Sequence, residues 1–249
     1  MKYILTLLLC IPMLSSSAQI VNIESQRIQS DTTGWLGSFG VAFKLDKNKV
    51  QVLNLNTHAQ IEYKAKRSLY LFLTNYDLLQ GGDVTLQNSL FFHFRYNYKL
   101  NKVLRLEAFT QGQQNEMSGI KSRWLIGAGP RFKISGTKKF SLYTASLVMY
   151  EDEQELSMPV IHHQDIRNSS YVTASWRPSL HSEIISTLFY QPLIKDFSDY
   201  RLLHELKMKF NFTKKFSFYT IWAFLYDTRP AFDVPTNIYS LKNGVEYTF

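Results

Sequence analysis

Ser186 and His204 are the residues of this sequence whose types best fit nucleophilic catalysis. A serine hydroxyl becomes reactive when an imidazole within hydrogen-bond reach takes its proton. The two lie on matching parities of successive alternating stretches, 181–191 and 201–212, and a register that pairs them leaves a loop from Gln191 to Tyr200. No third residue to orient the imidazole and no oxyanion donor can be named, so the sequence offers a dyad rather than a complete site. A different chemistry attaches to Glu151-Asp152-Glu153-Gln154-Glu155, followed by His162-His163 and Asp165. Carboxylate oxygens at Glu151, Asp152, Glu153 and Glu155 suit a hard cation such as Ca²⁺ or Mg²⁺, although the spacing is not that of an EF-hand loop. Solvated loop charge is the simpler reading, and divalent bridging to anionic lipopolysaccharide is a further one.

The largest set of chemically active side chains is spread along alternate positions. His58, Gln60, Glu62, His93, Arg95, Asn97, Arg105, Glu107, Arg123, Arg131, Glu205, Lys207, Lys209, Lys242 and Glu246 all oppose an apolar parity. Such a face lines either a plugged interior, with the charges paired across it, or a narrow polar pore. Basic residues outnumber acidic ones in the set, which biases a pore toward anions. Gly127 and Gly129, in Leu125-Ile126-Gly127-Ala128-Gly129-Pro130, share the parity of Arg123 and Arg131. No helix signal or GxxxxGK[ST] pattern follows, so these glycines make room for bulky neighbours or bend a strand rather than cradle phosphate.

The elements that must carry these residues are strands. Leu53 to Lys64 sets Leu53, Leu55, Thr57, Ala59, Ile61 and Tyr63 against Asn54, Asn56, His58, Gln60, Glu62 and Lys64. This is a period of two at a length that crosses a bilayer as a tilted strand. Phe92, Phe94, Tyr96 and Tyr98 repeat the apolar side, and Tyr239, Leu241, Val245, Tyr247 and Phe249 do so at the chain end. The pattern predicts strands near 34–45, 50–63, 68–78, 87–100, 102–114, 121–134, 139–151, 169–177, 181–191, 201–212, 215–226 and 238–249. The expected fold is all-β, a transmembrane antiparallel up-and-down β-barrel of about twelve strands, spanning 34–249. Tyr247 and a terminal Phe249 fit the closing-strand signal by which such barrels are assembled.

Connections reinforce the pattern. The short turns at 64–67, 99–102, 136–139, 177–178 and 213–215 hold ten Lys or Arg and no Asp or Glu. The other connections read as longer loops, apart from the first at 46–49, and collect acidic residues. A basic periplasmic rim and an acidic outer rim follow.

Export is expected from Lys2, an apolar stretch from Ile4 to Leu14 too short to span a bilayer, and small residues at Ser16-Ser17-Ala18. Residues 1–18 read as a cleaved signal peptide that carries away Cys10, leaving a chain without thiol chemistry and lowering the formal net charge from +8 to +7. Residues 19–33 read as an N-terminal periplasmic segment that pairs at the rim, enters the lumen or adds a strand. An aromatic share of 15% beside a mean hydropathy of −0.18 suits a wall with one lipid face and one polar face. The basic pI near 9.4 does not imply nucleic acid for an exported chain.

The stretch beginning at His93, HFRYNYKLNKVLRLEAFTQGQQNEMSGIKSRWLIGAGPRFK, resembles a family of uncharacterised outer-membrane barrels labelled putative salt-induced outer-membrane proteins. VNIESQRIQSDTTGW, from Val21, and VMYEDEQE, from Val148, resemble it too. The resemblance implies a monomeric bacterial outer-membrane barrel with no established catalytic residue. The combined expectation is a non-enzymatic envelope barrel or porin-like narrow polar pore without cofactor. Its partners would be outer-membrane lipid and lipopolysaccharide, the barrel-assembly machinery and small solutes or ions. A phospholipase-like enzyme using Ser186 and His204 is the alternative.

Overall fold

A computed structural model describes residues 22–24, 33–47, 51–137, 139–213, 215–231 and 233–248. Twelve antiparallel strands close into a barrel: β1 Gly34–Lys47, β2 Gln51–Lys64, β3 Ser68–Gly81, β4 Val84–Lys99, β5 Leu104–Asn115, β6 Ile120–Gly136, β7 Phe140–Glu155, β8 His162–Trp176, β9 Ser182–Leu193, β10 Asp196–Asn211, β11 Phe216–Asp227 and β12 Asn237–Thr248. Every strand pairs with its sequence neighbours, and β12 returns to β1. This is the expected all-β up-and-down barrel.

The strands are longer than expected at one end. β7 runs through Glu155, β8 starts at His162 and β10 starts at Asp196. The connections 82–83, 116–119 and 194–195 are therefore as tight as those at the basic rim, and only 156–161 and 228–236 are longer. The sequence expectation of long acidic loops is corrected here. Above the bilayer a strand is polar on both faces, so the period of two loses its hydropathy contrast although the hydrogen-bonded ladder continues.

Outward residues form an apolar wall that includes the exposed Phe39, Ile61, Phe72, Trp124, Val148, Val172, Leu188 and Val245. Such a continuous apolar surface is unstable in water and suits lipid. Aromatic rings border it. Near the basic turns, Trp35 lies 4.8 Å from Tyr63, Tyr63 lies 6.3 Å from Tyr70, and Tyr70 lies 4.9 Å from Tyr96. At the other end Tyr200 stands 5.6 Å from Tyr190 and 5.9 Å from Tyr226. Along β10 from Tyr200 to Phe210, a rise of ~3.3 Å per residue at ~40° tilt gives about 25 Å, the height of a bilayer-facing apolar band.

The interior is filled on one side. Phe109, Leu125, Leu147, Met149, Tyr171, Phe189, Leu203 and Leu225 point inward and pack together, with Val234 of the last connection against them. Gly127 and Gly129 serve this packing. A Cβ at Gly127 would lie 2.6 Å from the Phe109 ring, and one at Gly129 would lie 2.3 Å from the backbone oxygen of Ser146. Residues 19–33 are not solely a periplasmic segment, because Asn22–Glu24 lie inside the barrel. Ile23 is buried there against Leu71, Leu73 and Phe91.

Candidate functional site

The inward charges are organised in three groups along the barrel. Uppermost, level with Tyr200, Glu151 accepts from Arg201 Nη1 at 2.6 Å and from Arg167 Nε at 2.8 Å, and Arg123 Nε lies 3.0 Å away. Glu153 accepts from Arg123 Nε at 2.5 Å, Asp199 from Arg167 Nη1 at 2.9 Å, and Asp227 from Arg201 Nε at 3.0 Å. All of these side chains are buried.

Strand alternation produces the group. Glu151, Glu153 and Glu155 face inward while Asp152 faces outward, where it meets His162 at 3.1 Å and Gln164 at 3.0 Å. The reading of this cluster as solvated loop charge is therefore corrected. These carboxylates also do not converge on one cation, because alternation sends Asp152 to the opposite face from its neighbours. His163 meets Glu155 at 2.8 Å, and no cluster of metal-ligating side chains occurs among the described residues.

The middle group joins the wall to the N-terminal segment. Glu24 accepts from Arg131 Nη2 at 2.6 Å and from Arg95 Nη1 at 3.0 Å. Glu107 accepts from the same Arg95 Nη1, and the Tyr171 hydroxyl donates to Glu107 at 3.0 Å. Arg95 Nε donates to His93 Nε2 at 3.1 Å, and His93 stacks 5.4 Å from Phe109. Arg131 and Arg105 lie over the Tyr143 ring at 4.0 and 5.3 Å. Asn97 is buried on the same inward parity. Asn22 donates to Glu205 at 3.1 Å, which anchors the segment to β10.

Near the basic rim, Glu246 pairs with Lys209 and lies 3.7 Å from Lys207, while Glu62 accepts from Gln60 at 2.8 Å. Between β2–β5 and β10–β12 a polar cavity of about 200 Å³ remains, lined by Asn56, His58, Gln87, Lys207, Lys242 and Asn22 among others. A void of about 30 Å³ beside Ile23 touches Arg95, Arg123 and Arg201.

The structure thus places every inward residue named from the sequence on the lumen side, and adds several that the sequence reading missed. Arg167, Asp199, Asp227, Tyr171 and Glu24 carry much of the network, together with Arg201, which the period of two already sets on the polar face of β10 beside Glu205 and Lys207. Continuing the period of two through Met149, Glu151, Glu153 and Glu155 would have found the acidic partners. With them included, the basic excess of the sequence-derived set disappears, so an anion bias no longer follows from the whole lumen.

Ser186 and His204 do meet, with Oγ 3.0 Å from Nε2. They face outward, and the His204 ring stands edge-on to Trp222 at 5.5 Å. Among the described residues the remaining imidazole nitrogen has no hydrogen-bond partner, so a triad is not formed. Ser186 lies four positions along β9 from Tyr190, roughly 10 Å inside the apolar band. His204, four positions along β10 from Tyr200, is likewise well inside that band. Lipid ester groups sit at the bilayer boundary, not at that depth. The pair satisfies two polar groups in hydrocarbon surroundings, and the arrangement does not support the enzyme alternative. Tyr247 faces outward 5.1 Å from Phe216, whereas Phe249 lies outside the described residues.

The geometry defines a membrane-type barrel with a paired polar lumen, and comparison with known proteins agrees on the fold. The chain belongs to the family described as protein of unknown function DUF481, whose model matches residues 37–249. No curated protein matches the sequence significantly. Among solved structures, it is similar to the NanC porin at 10% identity and TM-score 0.52, covering 85% of this chain and 98% of that one. The translocator domain of the autotransporter NalP from Neisseria meningitidis matches at 9% identity and TM-score 0.53, with 90% and 92% covered. An outer-membrane channel from Pseudomonas putida F1 matches at 10% identity and TM-score 0.54, with 88% and 97% covered. At these identities the similarity is one of fold.

Proposed function

We propose that the protein is a non-enzymatic barrel of the bacterial outer membrane whose lumen is a narrow polar passage, narrowed by Asn22–Glu24 inside it. The single observation that carries this reading is the polar cavity of about 200 Å³ inside the barrel, with Asn22 of that segment among its lining residues. A barrel serving only as an inert envelope element would gain more stability from filling that space with apolar side chains. The channel and porin relatives support a passage by analogy of fold alone.

On this reading the chain is exported with a cleaved signal peptide and works as a monomer without cofactor. Outer-membrane lipid and lipopolysaccharide surround its apolar wall. The barrel-assembly machinery inserts it by the C-terminal strand, so deleting Phe249 should reduce the folded protein recovered from outer membranes.

Planar-bilayer recordings test the passage. The intact chain in potassium chloride should give a small or intermittent current, and deletion of residues 19–32 should make it larger and steady. Currents no greater than those of protein-free bilayers from both proteins would remove the passage reading.

A further inference from the structure

Glu24 is unlike the other lumen acids described above, because among the described residues Asn22–Glu24 lie outside the twelve strands. It nevertheless occupies the most basic point of the mid-lumen. Arg95 and Arg131 grip its two carboxylate oxygens at 3.0 and 2.6 Å, and all three side chains are at least nine-tenths buried. The wall alone supplies Glu107 as counter-charge to this pair, with Arg105 nearby over Tyr143. Without Glu24, three guanidinium groups would face one carboxylate.

We propose that Arg95 and Arg131 form a binding site for small carboxylate solutes, and that Glu24 is its built-in occupant, displaced when such a solute enters. Three features select this ligand class. Two guanidinium groups, each giving one N–H to a different carboxylate oxygen, match the planar, two-oxygen geometry of a carboxylate better than that of a spherical halide. Glu107 shares Arg95 Nη1 with the Glu24 carboxylate, and the Tyr171 hydroxyl bound to Glu107 lies 3.4 Å from Glu24, so a second negative charge already stands beside the site and disfavours a phosphate dianion by repulsion. The cavity of about 200 Å³ reaches Asn22 but neither arginine lines it, so the room at the site itself is that vacated by the Glu24 side chain, which suits only a small acid.

The segment is also poised to leave. The contacts that hold Asn22–Glu24 include Asn22 on Glu205, Ile23 in the Leu71–Leu73–Phe91 slot and the arginine pair on Glu24, and these three residues belong to none of the twelve strands. The void beside Ile23 touches Arg95, Arg123 and Arg201, so it links the site to the upper arginine group. An anion preference then arises at this constriction once Glu24 is displaced, although the lumen as a whole is nearly balanced.

The site rests on the proposed passage only for how a solute reaches it, and binding can be read without conduction. Glu24→Ala, purified in detergent, should unfold at a lower temperature than the unsubstituted protein. Sodium acetate should restore that loss saturably, whereas sodium chloride at equal ionic strength should not, and the unsubstituted protein should respond much less. Adding Arg131→Gln to Glu24→Ala should abolish the acetate response. Should Glu24→Ala not assemble, Glu24→Gln carries the same test, because its amide keeps the shape and drops the charge. An equal acetate shift in variant and unsubstituted protein, no shift in the variant, or a shift that survives Arg131→Gln overturns the site. Bilayer currents from the same preparations address the passage separately. Acetate rescue without current keeps the site and removes the passage, and current without rescue does the reverse.

Discussion

Glu151 Oε1 accepts from Arg201 Nη1 at 2.6 Å while its Oε2 accepts from Arg167 Nε at 2.8 Å, so one carboxylate ties β7 to β8 and, across the lumen, to β10. Arg123 on β6 approaches the same group at 3.0 Å. Removing one charge from a buried ionic cluster leaves its partners uncompensated, which typically costs about 3–5 kcal/mol. Glu151→Gln should fall near the lower figure, because Glu153, Asp199 and Asp227 still neutralise the arginines. Asp152→Asn, on the outward face of the same strand, should change stability by less than about 0.5 kcal/mol. Thermal unfolding of both variants in detergent decides the matter, and equal losses would show that the inward network contributes nothing special.

Gly129 faces the backbone of β7 rather than a flexible side chain. A methyl group there would meet the Ser146 oxygen at 2.3 Å and Leu147 Cα at 2.7 Å, and neither atom can move without shifting the strand. Gly129→Ala should therefore cost about 1–3 kcal/mol and lower the yield of assembled barrel. Gly81→Ala provides the contrast, since its Cβ would meet only Leu86 Cδ1 at 3.6 Å. Comparable heat resistance of the two variants would contradict the close approach.

These two sites mark where the sequence was readable and where it was not. Gly127 and Gly129 announced close packing because they occupy inward positions of an otherwise regular strand. The wall from Leu53 to Lys64 was legible because lipid on one side and a polar lumen on the other impose a strict period of two. Glu151 to Glu155 was not, since above the bilayer both faces of β7 are polar and a continuing strand looks like a loop. Glu24 was less legible still. Its role depends on Arg95 and Arg131, distant in sequence and brought together only by barrel closure, and no local pattern encodes that meeting.

Among the described residues, closure is the thinnest part of the sheet. β1 and β12 pair at Ser38↔Thr248 and Phe39↔Tyr247, whereas β1 and β2 pair from Gly34↔Lys64 to Lys47↔Gln51. Ser38 and Thr248 share the inward parity, so cysteines at both positions have Cβ atoms on the same side of the sheet, as a disulfide requires. With Cys10 expected to leave with the signal peptide, no other thiol competes. The oxidised double variant should form an intramolecular bridge and resist heat better than its reduced form. Absence of the bridge under mild oxidation would argue for a different closing register.

The hydrogen bond between Ser186 and His204 invites a catalytic reading that its surroundings oppose. Both side chains face the lipid band, His204 packs on Trp222, and the depth of the pair keeps it away from ester groups and water. Its effect is instead structural, because each polar group would otherwise be unsatisfied in hydrocarbon. Ser186→Ala should leave phospholipid incubated with the purified barrel unchanged relative to the unsubstituted protein, with the same background release of fatty acid. It should lower stability by about 1 kcal/mol, the usual worth of such a bond. His204→Leu should recover much of that loss, since an apolar side chain needs no partner there. A fall in fatty-acid release on Ser186→Ala, with the fold intact, would restore the hydrolase reading.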